Sequence, residues 1–404
     1  MKKFILILII CLTALSGVYA QIPNRGFEIG FDVDAVFANN LLTIGEVFKE
    51  TAIIDLNRVN EGFKINLGMG AGFHLGIASK KGWGFSINTG LEMTGIFNTG
   101  GILSFGDVSD ENFELSGAIN LTADINTYFK VSKFKVTVMP SMFWAAAYLK
   151  PEVVYSFNTV DGVNFDLSAE NLRLYTAFPY NSFQDGEFEL TGKPGFDITL
   201  GLEYPLMEAL GIKKILPFLD FDVGVQLKKI PIIPSVLTDY VGFDNFNGTV
   251  SMNDILDILN GGSSSGEGEG SGEGEGSSDS ALVSGIGEQK VRRPFMFAAY
   301  VNWRPLFGSN LLTVTPVIGF AVNQLRAESI AFDYGLNATL DLANILIVTA
   351  GINYIDRIWI NSLDLALNLR LIQINFGVDM RSQDFLSSWN AGGLGARIGL
   401  RFGW

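Results

Sequence analysis

The chain contains one cysteine, Cys11, and one histidine, His74, in 404 residues. A single thiol forms no internal disulfide, and the two residue types are too few to build a Cys/His metal site. Basic charge is also in short supply, with 28 Lys and Arg against 42 Asp and Glu and a net charge of −14. A nucleic-acid-binding surface needs the opposite balance. Beyond the first 20 residues no uninterrupted apolar stretch reaches the length of a membrane-spanning helix. Yet 48% of the residues are hydrophobic, so the apolar content has to be distributed in some other way.

The start, "MKKFILILIICLTALSGVYAQ", has a positive n-region at Lys2 and Lys3, an apolar h-region from Phe4 to Leu15, and small residues at Val18-Tyr19-Ala20. This pattern predicts a cleaved signal peptide over 1–20 and a mature chain from Gln21. A lipoprotein leader anchored at Cys11 would need a small residue where Ile10 stands. Cleavage would remove the only thiol, and the loss of Lys2 and Lys3 would take the net charge to −16.

The rest of the hydrophobicity lies in alternation. In "GFEIGFDVDAVF" the residues Phe27, Ile29, Phe31, Val33, Ala35 and Phe37 alternate with Glu28, Gly30, Asp32, Asp34 and Val36. In "KINLGMGAGFHLGIA", Ile65 to Ile77 alternate in the same way with Lys64, Asn66, four glycines and His74. A period of two marks an extended strand with one apolar face. Similar segments follow at 83–93, 113–129, 134–148, 196–204, 217–228, 294–303, 312–323, 330–341, 346–354, 363–369, 374–380 and 394–404. Pro140 and Pro316 fall inside two of them, where each removes a ladder donor, but the alternation continues on both sides. The connections near 80, 131, 210, 308 and 343 are short, and those at 40–60, 98–112, 149–193 and 229–292 are long, with every long one predicted at the end opposite the short turns.

Within the last long connection, "GGSSSGEGEGSGEGEGSSDS" at 261–280 has no apolar residue. It cannot offset its ordering entropy and is predicted to be a disordered acidic segment of an external loop. Ser251 is a candidate N-cap for a short helix before it. The first long loop has helical apolar spacing at Ile44, Val47 and Phe48, which suits either an inward plug or packing at the rim.

The final segment, "NAGGLGARIGLRFGW", sets Leu394, Ala396, Ile398, Leu400, Phe402 and Trp404 on one face and Arg397, Arg401 and glycines on the other. With the leader and the alternating strands, it resembles bacterial outer-membrane β-barrels. The resemblance implies an all-β fold, a transmembrane antiparallel up-and-down barrel of about 14 strands (range about 12 to 16), with long extracellular loops and short periplasmic turns. It also implies that Leu400, Phe402 and Trp404 form the signal read by the barrel-assembly machinery, a partner beside the outer-membrane bilayer itself. The strand count is similar to that of outer-membrane long-chain fatty-acid transporters.

With the apolar face in lipid, the other face lines the lumen. Its acidic members are then Glu28, Asp32, Asp34, Glu92, Asp124, Asp197, Glu203, Asp220, Asp222, Asp333, Asp341, Asp364 and Asp379, and its basic members Lys64, Lys135, Lys228, Arg370, Arg381, Arg397 and Arg401. So many carboxylates require either water or ion pairs around them. If the first and last strands pair to close the barrel, Arg401 should lie near Glu28 and Arg397 near Asp32.

Nothing in the sequence spells out a reaction. His74 has no inferable nucleophile or orienting partner, the "GEGEG" repeats lack the fixed geometry of a calcium loop, and no helix follows the glycines of "LGMGAGFHLG" to make a nucleotide site. The reading is therefore a non-enzymatic barrel without a cofactor, carrying small solutes passively or by facilitation through an acidic lumen. Its alternatives are a surface scaffold or adhesin acting through the long loops, and uptake of apolar substrates such as fatty acids.

Overall fold

The computed structural model describes residues 26–39, 64–79, 82–99, 113–149, 155–159, 164–177, 191–211, 218–251, 282–306, 310–323, 325, 330–369, 371–382, 385–389 and 392–403. The leader, the segments 41–59 and 261–280, the helix expected after Ser251, Arg370 and Trp404 lie outside the described residues.

The strands are β1 (Phe27–Asn39), β2 (Lys64–Ser79), β3 (Trp83–Thr99), β4 (Phe113–Val131), β5 (Phe134–Leu149), β6 (Tyr155–Thr159), β7 (Asn164–Thr176), β8 (Gly195–Tyr204) and β9 (Asp220–Ile233). They continue with β10 (Ser235–Ser251), β11 (Leu282–Val291), β12 (Phe295–Arg304), β13 (Leu312–Val322), β14 (Ile330–Leu342), β15 (Leu346–Ile355), β16 (Ile358–Leu369), β17 (Ile372–Ser382) and β18 (Gly393–Gly403). Around the ring each strand pairs antiparallel with its sequence neighbour, except that β5 passes to β8 and β9 passes to β12. The ring closes where β1 pairs with β18, from Glu28 opposite Gly403 to Ala38 opposite Gly393. The result is a closed antiparallel barrel of 14 strands. All fourteen segments read from alternation are ring strands.

Closure follows from the medium. No water reaches the hydrocarbon core to satisfy a free N–H or C=O, each of which would cost several kcal/mol there, so a sheet in lipid can have no open edge. The ring strands run from 10 residues in β8 to 19 in β4, enough to cross the hydrocarbon when tilted. Their faces separate as the alternation requires. Phe332 is 73% exposed and Ile318 65% on the outside, while Asp197, Asp220 and Asp379 are each 1% exposed within. A soluble barrel would reverse these two populations.

The remaining strands lie beyond the ring. The order β6–β7–β10–β11 forms a four-stranded extension, joined to the ring where Ala147–Leu149 of β5 pair with Leu174–Thr176 of β7. The sequence reading left these stretches as loops because outside lipid neither face needs to be apolar, so the two-residue alternation blurs.

Tight turns close the end of the barrel where β1 starts and β18 finishes, with left-handed backbone at Ser132 (φ 56°) and at Ala343 and Asn344 (both φ 57°). A four-residue helix, α1 (Leu206–Ala209), occupies the connection from β8. One tight turn breaks the expected rule: Asp356 (φ 49°) and Arg357 (φ 67°) join β15 to β16 at the opposite end. The sequence reading started β16 five residues late, at Leu363, and so lengthened this connection. At this loop end a short helix, α2 (Phe385–Trp389), precedes β18.

Candidate functional site

Among the described residues the lumen holds three groups of ion pairs, a polar cavity and an apolar cluster, built by inward-facing positions of the ring and by residues of the strands and connections above it. At the seam, Arg401 of β18 stands opposite Gly30 of β1. A Cβ at Gly30 would lie 2.7 Å from Arg401 Cγ, so the glycine lets the guanidinium lie across β1. From there it donates to Glu28 (3.2 Å) and to Asp32 (3.4 Å). His74 of β2 places Nε2 3.5 Å from the same Glu28 carboxylate and Nδ1 2.5 Å from Asn88 Oδ1.

Arg397 departs from the expected contact with Asp32. It reaches Asp364 of β16 (3.2 Å) and Asp379 of β17 (3.3 Å) instead. The reason lies between them, because Gly377 of β17 is opposite both Asp364 and Arg397, and a Cβ there would collide with both side chains. The open glycine draws Arg397 away from β1. Arg381 completes this group on Asp379, with Nη2 3.1 Å from Oδ2.

The second group sits higher, towards the loop end. Arg293, in the link from β11 to β12, has a side chain 0% exposed. It donates to both oxygens of Asp197 of β8 at 2.8 Å and lies 3.5 Å from Asp124 of β4 and 4.0 Å from Glu92 of β3. Its guanidinium is 5.0 Å from the Phe143 ring centroid. Lys229 of β9 reaches Glu92 at 3.2 Å, and its backbone N–H donates to Thr199 Oγ1 (3.0 Å). The third group, at the turn end, is Arg304 of β12 with Asp220 (3.0 Å) and Asp222 of β9.

Arg293, Lys229 and Arg304 were missed by the sequence reading. Arg304 keeps the inward parity of β12 and lies one residue past the expected strand end. Lys229 has φ 53°, a bulge that turns the side chain after Lys228 inward as well, which strict alternation cannot show. Arg293 precedes Pro294, outside any regular strand, and only the fold brings it to Asp197.

Several expected lumen charges have local structural uses. Asp333 accepts the Asp356 N–H at 2.9 Å and Asp341 accepts the Asn344 N–H at 2.7 Å, so these two carboxylates bind turns at opposite ends of the barrel. Glu203 accepts a hydrogen bond from Tyr300 (3.1 Å). Lys135 lies 5.7 Å from the Tyr128 ring centroid. Lys228 and Lys64 are residues of β9 and β2. Leu400 and Phe402 are 40% and 44% exposed on the outer face.

Between the seam and the Arg293 group lies a cavity of about 220 Å³, lined by Asp32, Asp34, Glu92, Asp124, Asp364, Arg397 and Arg401, with Asn88, Thr122, Thr349 and Asn375 among its neutral polar groups. Asp34 Oδ2 is buried there without a hydrogen-bond partner among the described residues. Gly72 on its wall has room for a side chain, since a Cβ would meet only Thr89 O, at 3.6 Å.

Above the Arg293 group the lumen becomes apolar. Ile96 of β3, Ala118 of β4, Ala145 and Tyr148 of β5, Ala177, Leu237 of β10, Val291 of β11 and Leu325 form one buried cluster, with Trp144 and Tyr175 packed against it. Leu325 belongs to the connection between β13 and β14, on the far side of the ring, and its carbonyl accepts a 2.7 Å hydrogen bond from Ser116 of β4. Leu325 therefore reaches across the lumen to β4 at the loop end. Asn323 Oδ1 accepts the Leu325 N–H (3.0 Å) and holds its turn.

Replacing Arg401 with methionine leaves the buried Glu28 carboxylate without its guanidinium and takes the same partner from the half-exposed Asp32. A loss of about 3 to 5 kcal/mol of barrel stability is expected, seen as a lower urea midpoint for unfolding from lipid vesicles. An unchanged midpoint would show that the seam is held by its backbone ladder alone.

These features define a class: a closed, lipid-embedded β-barrel of the bacterial outer-membrane type, with ion-paired walls and an apolar closure. No family model and no curated protein matches the chain. Among solved structures, the Ralstonia pickettii toluene transporter TbuX aligns with a TM-score of 0.48 at 10% identity, over 94% of this chain and 90% of that one. The P. putida toluene transporter TodX aligns at 0.49 and 11%, over 94% and 91%. The KdgM porin aligns at 0.28 and 7%, over 93% and 99%. At these identities the likeness concerns form and says nothing of solute.

Proposed function

We propose that the protein is a gated outer-membrane channel that carries small apolar or amphipathic solutes through the barrel. The observation that carries this reading is the apolar closure: Leu325 reaches across the lumen and packs with Ile96, Leu237 and Val291 at its loop end. The sequence alone suggested passive or facilitated passage of small solutes through an acidic lumen, with uptake of apolar substrates as an alternative. A hydrated ion meeting this closure has to shed water without gaining a polar partner, which is costly. An apolar solute exchanges one set of dispersion contacts for another and passes at little cost.

The test uses cells whose outer membrane otherwise resists apolar probes. Expression is expected to raise the fluorescence of 1-N-phenylnaphthylamine several-fold over an empty-vector control, while the purified barrel in a planar bilayer gives little potassium conductance. Large, discrete ion steps without probe entry would replace this reading with that of an open aqueous pore. Silence in both assays from folded protein would turn attention to the scaffold reading.

A further inference from the structure

Resting on that channel reading, we infer that the preferred solutes are small organic cations with an apolar body, such as quaternary ammonium compounds bearing an aromatic ring, and that the same path rejects apolar anions. Two independent layers of the lumen converge on this chemistry. The outer layer is the apolar closure, which includes Tyr148 and has Tyr175 packed against it. It admits an apolar body, and aromatic faces attract weakly hydrated cations better than strongly hydrated ones such as sodium.

Below it the charge is lopsided. Among the described residues, the Arg293 and seam groups contain seven carboxylates, Glu28, Asp32, Glu92, Asp124, Asp197, Asp364 and Asp379, and the cavity wall adds Asp34, against five cations, Lys229, Arg293, Arg381, Arg397 and Arg401. The excess is negative, and Asp34 turns a buried oxygen without a hydrogen-bond partner to the cavity. Low-dielectric walls lined by one sign of charge focus that potential along the path.

The protein also shows how such a solute can be held. The Arg293 guanidinium is itself an organic cation, excluded from solvent, with Phe143 on one side and Asp197 and Asp124 around it. An incoming solute reproduces that arrangement one layer lower: its cationic group meets Asp34 and Asp364, and its apolar body occupies the glycine-walled side at Gly72 and Gly90. A carboxylate or sulfonate on the same body would approach the excess of like charge, and the two cations on the described cavity wall, Arg397 and Arg401, are already paired with carboxylates.

The experiment measures flux into proteoliposomes containing the mature chain. The probes are benzyltrimethylammonium, benzenesulfonate and tetramethylammonium, none of which crosses the bilayer unaided. Benzyltrimethylammonium is expected to enter about tenfold faster than benzenesulfonate and faster than tetramethylammonium, which lacks the apolar body. Asp34→Asn should cut the cation-to-anion ratio several-fold with the barrel still folded, as judged by heat-modifiable migration. Gly72→Phe should slow benzyltrimethylammonium by filling the cavity.

Equal entry of the two aromatic ions would overturn the inference, as would a ratio untouched by Asp34→Asn in folded protein. Exclusion of both ions by protein that still admits 1-N-phenylnaphthylamine in cells would also overturn it, leaving a channel for neutral solutes. Failure of phenylnaphthylamine entry itself would count against the channel reading beneath.

Discussion

Replacing Arg293 with methionine is expected to produce the largest single loss of stability in the lumen, about 3 to 5 kcal/mol, because a buried ion pair broken from one side leaves uncompensated charge. Arg293 is fully shielded from solvent and serves Asp197 on two oxygens, with Asp124 and Glu92 within 4.0 Å. Without it, three carboxylates face one another with Lys229 as the one cation beside them among the described residues. Methionine preserves most of the side-chain volume and the contact with Phe143, so the loss reports charge more than packing. Unfolding by urea from lipid vesicles should show the lowered midpoint, and Asp197→Asn in the same chain should recover part of it. A midpoint equal to that of the parent protein would mean that water enters the group freely and that it does not brace the lumen wall.

The second large effect concerns the mouth. Leu325→Asp places a carboxylate in a cluster where Leu325 is 5% exposed and its neighbours are Ile96, Ala118, Leu237 and Val291. An ionised group in that setting loses hydration worth several kcal/mol, and the segment is expected to leave the mouth, since it is held there by this packing and by the Ser116 hydrogen bond. Potassium conductance in planar bilayers should rise about tenfold or more over the parent, with the ring intact because no ladder bond is touched. The complementary variant is Ser116→Cys with Leu325→Cys, a pair in a chain whose only native cysteine is in the predicted leader. Oxidation should lock the mouth and suppress phenylnaphthylamine entry, and reduction should restore it. Conductance unchanged by Leu325→Asp would place the closure elsewhere in the lumen.

Both expectations depend on residues that the sequence displayed unequally. Leu325 lies in a stretch between two legible strands and looks like any loop leucine, because neither its hydrogen bond to β4 nor its neighbours on β10 and β11 have a local signature. Arg293 likewise follows no alternation. Asp197, by contrast, was assigned to the lumen by parity alone, and it is 1% exposed there. The seam shows the boundary between the two kinds of knowledge within one strand. The Arg401 contact with Glu28 follows from closing the first strand on the last, whereas Arg397 turns to Asp364 because Gly377 leaves a gap between β16 and β18, a fact about three strands together.

By itself the sequence determined the ring: which segments are strands, which face of each meets lipid, and that the first and last must pair. It could do so because the hydrocarbon imposes one rule on every residue in the wall, apolar outward and backbone fully paired, and that rule is written every second residue. The tertiary structure alone decided what closes the lumen, because inside the barrel no uniform medium applies. There most charges are satisfied by whichever side chain another strand presents, and Leu325 packs into the apolar cluster from the far side of the ring.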